Sequence, residues 1–282
     1  MLTRGIRPTE TQKQRLRELG ADASLEERVF NSIQERDAGF RTMERQLIEQ
    51  ETDSLRSLLN HHRRPTLCRI EAILTNRLVE EGFVQVATPI MITRIFLEKM
   101  SITANHPLAD QVFWINENQC LRPMLAPNLY YLLRRLARLW EKPIRIFETG
   151  PCFRKDSKGR NHLDEFTMLN LVELGLPLES RLERMRELTS LLMTAADIRE
   201  YRLVSRPSEV YGETIDVVAG TGTELCSAAM GPHPLDDAWG IVDSWVGLGF
   251  GLERLVMVKQ RFQNIQRAGR SLIYLDGARL NV

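Results

Sequence analysis

Three stretches of this chain gather residues that could handle a polyphosphate or a polar ligand. The first begins Ile144-Arg145-Ile146-Phe147-Glu148 and runs through Phe153-Arg154-Lys155-Asp156 into Ser157-Lys158-Gly159-Arg160-Asn161-His162. An alternating apolar run followed by charged, turn-forming residues reads as a strand entering a hairpin loop, with Phe166 to Val172 as the returning strand. Arg154, Lys155, Lys158, Arg160 and His162 would share that loop. The composition suits a polyphosphate clamp and equally an exposed basic loop. On the returning strand Met168, Asn170, Val172 and Leu174 fall on one face. Asn170 is its polar member, and a buried amide needs a partner, either neighbouring backbone or a ligand.

The second stretch is Trp245-Val246-Gly247-Leu248-Gly249-Phe250-Gly251-Leu252-Glu253-Arg254. Trp245, Gly247 and Gly249 alternate onto one face, and glycines inside a strand suit close approach of a ligand or another backbone. The strand turns into a helix at Gly251. That places Arg254 in the helix's first turn, where free amide N–H groups favour an anion. The third stretch is Glu224-Leu225-Cys226-Ser227-Ala228-Ala229. Glu224 reads either as a metal or amine ligand or as a solvated strand edge. If Glu224 and Ser227 act together, their odd spacing requires a bulge or a strand end.

The elements that position these residues point to a mixed fold. Ser24 and Glu27 form a capping-box pattern, with Leu25, Val29 and Ile33 at helical spacing behind it. Gly39 reads as an interruption, and a second helix carries Phe40, Met43, Leu47, Leu55, Leu58 and Leu59. Pro65 opens a third, with Leu67, Ile70, Leu74 and Leu78 on its inner face, ending at Gly82. Further helices are expected near 128–140, 179–198 and 251–262, among more numerous short strands. An antiparallel sheet flanked by helices, an α+β fold, fits better than a doubly wound parallel one. The expected division is an N-terminal helical segment, 1–60, and a catalytic domain, 61–282.

Composition sets bounds. The 282 residues are 43% hydrophobic and 27% charged, with a net charge of +1, as in ordinary soluble domains. No apolar run nears the roughly 20 residues of a membrane span, and the first residues lack a signal peptide's apolar core, so a cytoplasmic location and no membrane partner are expected. Cys68, Cys120, Cys152 and Cys226 are scattered, as isolated reduced thiols would be. Basic clusters at Lys13, Arg15 and Arg17, at His61 to Arg64, and an acid-free stretch from Arg254 to Arg270 suit a phosphate backbone or a solvated helix face.

Taken in order, these stretches resemble the class II aminoacyl-tRNA synthetases. Gly82-Phe83 through Pro89 resembles motif 1, Phe153-Arg154-Lys155-Asp156 through Phe166 motif 2, and Gly249-Phe250-Gly251-Leu252-Glu253-Arg254 motif 3. Cys120-Leu121-Arg122-Pro123-Met124-Leu125-Ala126-Pro127-Asn128-Leu129-Tyr130, His162 through Asn170, and Trp245 through Gly249 are most similar to the pyrrolysyl branch, in its subgroup without a separate N-terminal tRNA-binding domain. The resemblance implies the class II fold, ATP and Mg2+, and a ligase that activates pyrrolysine and loads an amber-decoding tRNA. It implies a homodimer through motif 1. Arg154 and Arg254 would act in catalysis on the ATP phosphates, His162 would reach the terminal phosphates, Asp156 would contact and Phe166 stack on adenine, and Glu224 and Ser227 would hold magnesium. Ala126, Leu129, Tyr130, Leu133, Ile146, Val172, Ser227, Ala229, Trp245 and Gly247 would form the amino-acid site. Asn170 would bond the substrate's amide carbonyl and Tyr211 would close over it from a mobile loop.

The sequence departs from the branch at Asp156, one methylene shorter than the usual glutamate, at Val172 and Ala229, which reshape the pocket, and at Ala219 to Thr223, a longer turn. The competing readings are a synthetase of the phenylalanyl or phosphoseryl branch and a catalytically silent tRNA-binding paralogue. The first should place basic groups in the pocket if phosphoserine is the substrate, and Leu129, Leu133, Val172 and Ala229 are apolar. The second should lose Arg154, Glu224 or Arg254, and all three are present.

Overall fold

The structure, a computed structural model, describes residues 5–61, 64–155 and 162–281. Helices α1 (Glu10–Glu18), α2 (Ala23–Glu26), α3 (Ile33–Asn60) and α4 (Thr66–Glu80) come first. Strands β1 (Val84–Gln85) and β2 (Met91–Thr93), helix α5 (Arg94–Glu98), strand β3 (Gln119–Leu121) and helix α6 (Ala126–Leu136) follow. Then come β4 (Ile144–Phe153), β5 (Glu165–Leu174), α7 (Arg181–Ala195), β6 (Tyr201–Ser208), β7 (Gly212–Ala219) and β8 (Glu224–Gly231). The chain ends with α8 (Leu235–Trp239), β9 (Trp245–Gly251), α9 (Leu252–Gln260), β10 (Tyr274–Leu275) and β11 (Ala278–Arg279). It folds as two compact units, Met1–Pro65 with Ser271–Val282, and Thr66–Arg270.

In the smaller unit the capping box sits earlier than the sequence suggests. Thr9 and Gln12 exchange side-chain and backbone bonds at the start of α1. At Ser24 it is Asp22 that caps, its carboxylate accepting the Ser24 N–H at 2.9 Å. The resulting helix is a single turn, and Val29 and Ile33 stay more than half exposed. Gly39 does not interrupt; α3 runs straight through it. The Phe30 ring lies so close that a Cβ at Gly39 would come within 2.6 Å of it, so this glycine makes room for packing. The basic cluster near the start is spent on ion pairs, Lys13 with Glu10, Arg15 with Glu44 and Arg17 with Glu26. The β10–β11 hairpin joins this unit through Arg279, whose guanidinium meets Glu18 at 2.9 Å and whose N–H meets Glu51. From sequence alone those residues group with 61–282.

The larger unit is built on a seven-stranded sheet of order β1-β4-β5-β9-β8-β7-β6, antiparallel except for the β1–β4 pair. One face packs against α4, α7 and α9. The expected stripe on α4, Leu67, Ile70, Leu74 and Leu78, shares this core with Leu169, Leu171, Leu248 and Phe250 of the sheet. Each fully buried leucine there contributes roughly 1.5–3 kcal/mol. Gly82, at φ +86°, lets the chain reverse after α4 into β1. The other face, carrying Ile146, Val172, Leu174 and Trp245, packs against α5, α6 and α8. Two-residue alternation along β5 therefore divides Leu169 and Leu171 from Val172 and Leu174, and assigns each to its own core. No helix among the described residues is long and apolar enough to cross a membrane.

The four cysteines are free. Burial pushes the Cys120 thiol up to about 11, Cys152 up to about 12 and Cys226 well above its ordinary value. Thiolate is the reactive form. At pH 8 the native protein should therefore take up one equivalent of an aromatic disulfide reagent rapidly, at the half-buried Cys68, and the other three only after denaturation. Rapid uptake of two or more equivalents would contradict this packing.

Candidate active site

Register alone brings the site together. On the α5–α6–α8 side of the sheet, β5, β9 and β8 align in three rows: Asn170–Gly249–Ser227, Val172–Gly247–Ala229 and Leu174–Trp245–Gly231. The first row continues to Glu148 on β4 and Asp216 on β7. Glycines in the middle of two rows leave a trough. In the third row the Trp245 indole leans over Gly231, where an added Cβ would collide with its Nε1. Opposite Val217 and Val218 the β8 register skips Leu225, a bulge. That bulge lets both Glu224 and Ser227 reach one cavity in spite of their odd spacing.

The cavity encloses about 490 Å³, within the usual range for small-molecule sites. Ala126, Leu129, Tyr130 and Leu133 on α6 form one wall, facing Val172, Gly247, Ala229 and Trp245. Tyr211, between β6 and β7, also lines it. Beyond the Asn170 row, where β9 turns into α9, the lining becomes more polar: Arg154, His162, Glu224 and Arg254, with Ser227 and the Phe166 ring beside them. Ile146 is separate. It pairs with Val172 across β4 and β5 but is fully buried in the core and does not line the cavity. Asp156, with Lys158 and Arg160, lies outside the described residues.

At the polar end Arg254 Nη1 donates to Glu224 Oε1 at 3.1 Å and to the Glu224 carbonyl at 3.3 Å. Arg154 Nε donates to the Pro123 carbonyl at 2.8 Å, and its guanidinium stands 5.3 Å from the Phe166 ring centroid, a cation–π distance. The glutamate beside Arg254 is a structural tie. Glu253 is buried, and both its oxygens accept the Thr167 N–H at 2.9 Å while one also accepts the Thr167 hydroxyl. Burial pushes its carboxyl up from the ordinary value, against the pull of those bonds and of Arg270. The tie joins the first turn of α9 to β5 and so sets Arg254 relative to Phe166.

Asn170 serves backbone. Its amide nitrogen donates to the Leu248 carbonyl at 2.9 Å and, at 3.3 Å, to the Leu171 carbonyl. The second contact is the longer and weaker one. Ser227 donates to Asp216 at 2.9 Å. Among the described residues no group of three or more His, Cys, Asp or Glu side chains is arranged to hold a metal. Glu224 and Ser227 nevertheless offer a carboxylate and a hydroxyl oxygen to one cavity. That donor set fits Mg2+, which takes one or two protein oxygens and completes its shell with water and phosphate.

Two carboxylates were not signalled by the sequence. Asp216, buried, accepts from Ser227 and Thr214. Asp236, in the first turn of α8, is 4% exposed and accepts from Trp245 Nε1 at 2.9 Å, Tyr130 at 3.2 Å and the His233 N–H at 2.7 Å. It thereby orients two walls of the cavity. An acid in a first helical turn reads from sequence as an ordinary dipole partner, and only the fold reveals its burial. Burial first, then Asp236, pushes the Tyr211 phenol up, against a downward pull from the neighbouring Tyr130 hydroxyl. Burial, then the neighbouring Tyr211 and Asp236, push Tyr130 up. Both phenols stay protonated at neutral pH.

The sequence profile of the "tRNA synthetases class II core domain (F)" matches residues 36–275. Two solved structures resemble the chain along nearly its whole length. The crystal structure of a pyrrolysyl-tRNA synthetase from Desulfitobacterium hafniense is 52% identical, with a TM-score of 0.92, covering 97% of this chain and 98% of that one. The structure of Desulfitobacterium hafniense PylSc, a pyrrolysyl tRNA synthetase, is 51% identical, with a TM-score of 0.92 and 99% of each chain covered. A class II core profile over most of the chain, together with half its residues shared over nearly all of it, places this protein among the class II aminoacyl-tRNA synthetases, in the pyrrolysyl-tRNA synthetase family.

Proposed function

We propose that this enzyme activates pyrrolysine with ATP and transfers it to an amber-decoding tRNA. One observation supports this most strongly. An amide, Asn170, is set into a trough with mostly apolar walls, and Arg154 and Arg254 line the same cavity. The trough suits a long side chain that ends in an apolar ring and carries an amide along its length. Its walls are Ala126, Leu129, Tyr130, Leu133, Val172, Ala229 and Trp245, with Tyr211 also in the lining. The 3.3 Å contact of Asn170 with backbone is the one a substrate carbonyl replaces.

In the first step the substrate carboxylate attacks the α-phosphorus of ATP, forming the acyl phosphate bond as pyrophosphate leaves. A terminal tRNA hydroxyl then attacks the acyl carbon and AMP leaves. Neither step needs a covalent nucleophile from the protein. Arg154 and Arg254 stabilise the charge on the transferring phosphate, Phe166 stacks on adenine, His162 and Asp156 complete the nucleotide site, and the site's alignment supplies proximity. Glu224 and Ser227 would hold Mg2+, which when bound neutralises phosphate charge. The helices of residues 1–60 and the basic segment after Arg254 carry tRNA contacts, two copies pair through the motif 1 element, and the enzyme works in the cytoplasm.

The test is charging. An amber-decoding tRNA should acquire an alkali-labile pyrrolysyl ester in the presence of enzyme, ATP and pyrrolysine; no ester with any tRNA bearing a CUA anticodon would defeat the reading. Selectivity gives a second arm. An apolar pocket cannot strongly reject a smaller apolar ligand, whereas an unpaired polar group can. Asn170→Ala should raise activation of phenylalanine relative to pyrrolysine by roughly ten- to a hundredfold. An unchanged ratio would remove Asn170 from the selectivity argument.

A further inference from the structure

The hairpin that carries Tyr211 is tied down twice by the same short motif. His106-Pro107-Leu108 opens a 3-10 turn, Pro107–Gln111, and His233-Pro234-Leu235 leads into α8. In both copies the ring Nδ1 accepts the backbone N–H two residues on, from Leu108 at 3.1 Å and from Leu235 at 3.2 Å. An N–H can only donate, so Nδ1 is bare and the proton sits on Nε2. Each Nε2 lies 3.1 Å from a carbonyl at the tip of the β6–β7 hairpin: His106 from Glu209 and His233 from Tyr211. Both are therefore donors to the tip. The two carbonyls are two residues apart and are gripped by segments more than a hundred residues apart in sequence.

The tip is where such a grip matters. β6 is the outermost strand of the sheet, has no fully buried residue and has one neighbouring strand, β7. Glu209, Val210 and Tyr211 line the cavity. The Tyr211 ring stands edge-on to His233 at 5.5 Å and to Trp245 at 6.2 Å. An edge hairpin with few backbone partners opens locally at low cost, and a donor on each side of its tip holds the covering position.

We propose that His106 and His233 are positioning residues that latch the β6–β7 hairpin over the amino-acid end of the cavity through the Glu209 and Tyr211 carbonyls. The proposal rests on reading that end as the amino-acid site. The two ring functions can be separated by substitution. Asparagine keeps an oxygen that accepts the N–H two residues on, as in an Asx turn, but falls short of the hairpin. Glutamine extends an amide N–H to about the Nε2 position.

The experiment compares the unsubstituted enzyme with the His106→Asn/His233→Asn and His106→Gln/His233→Gln double variants. In ATP–pyrophosphate exchange with pyrrolysine, the asparagine pair should raise the amino-acid KM about tenfold, as expected for losing two hydrogen bonds, with the ATP KM within about twofold. The glutamine pair should recover most of that loss. An unchanged amino-acid KM, or an equal rise in both KM values, would overturn the latch. Amide hydrogen exchange across residues 205–215 reads the latch without any substrate. Protection there should fall about tenfold in the asparagine pair, the same two-bond loss, and return in the glutamine pair; unchanged protection overturns the proposal. Failure of pyrrolysine to support exchange in the unsubstituted enzyme, with protection changing as expected, would count against the substrate assignment and leave the latch standing.

Discussion

Arg254→Ala should lower amino-acid-dependent ATP–pyrophosphate exchange by about a hundred- to a thousandfold, the usual cost of removing one donor aimed at developing phosphate charge. The guanidinium stands at the polar end of the cavity and its folded-state partner is Glu224, in a pair whose members are 26% and 38% exposed. A pair that open to water adds little to stability, so the fold should survive with its melting temperature nearly unchanged. Loss of activity with an intact fold assigns the residue to the chemistry. A loss below tenfold, or an unfolded variant, would mean that Arg254 serves mainly to hold Glu224 and the start of α9.

The second large effect lies below the cavity. Arg122 and Glu148 are each 2% exposed and meet at 2.7 Å. Glu148 also accepts from the Thr88 N–H at 3.1 Å and its hydroxyl at 2.6 Å, and Arg122 donates to the Pro151 and Thr88 carbonyls. Asn128, in the first turn of α6, donates to the same Thr88 hydroxyl. The network thus joins the segment after β1 to β4 and to the helix that supplies the pocket wall. Removing one member leaves a charge buried without its partner, and Glu148→Ala should cost about 3–5 kcal/mol in denaturant unfolding. Replacing both, Arg122→Met with Glu148→Leu, should restore part of that loss, because no buried charge is left, although the Thr88 N–H and the Thr88 and Pro151 carbonyls lose these partners. A single-variant cost below about 1 kcal/mol would show that water reaches the pair.

Much of this arrangement was legible in the residues themselves. The α4 stripe, the alternation along β5 and the glycine face of β9 are periodic patterns, and periodicity survives translation into structure because burial enforces it. The spacing of Glu224 and Ser227 called for a bulge or a strand end if the two were to act together, and the structure has the bulge, at Leu225. What periodicity could not convey was partner choice. Ser24 and Glu27 fit a capping box, yet the competing acceptor Asp22, two residues earlier, takes the Ser24 N–H. Gly39 looked like a helix break because a glycine weakens a helix, and nothing local announced the Phe30 ring packed on it. Ile146 alternates correctly with the pocket residues, but it falls behind Val172 rather than beside the cavity. Asp236, Asp216 and the paired histidines depend on contacts between segments distant in sequence, and each alone reads as a turn or capping residue.

Selection of pyrrolysine by a largely apolar trough that carries Asn170 and ends in two arginines is the proposed basis of this enzyme's function. Amino-acid-dependent ATP–pyrophosphate exchange, run with pyrrolysine beside the twenty common amino acids, is the deciding measurement. Exchange well above background with pyrrolysine, and near background with the others, is the result expected. Exchange with a common amino acid and none with pyrrolysine would contradict the substrate while leaving the class II chemistry in place.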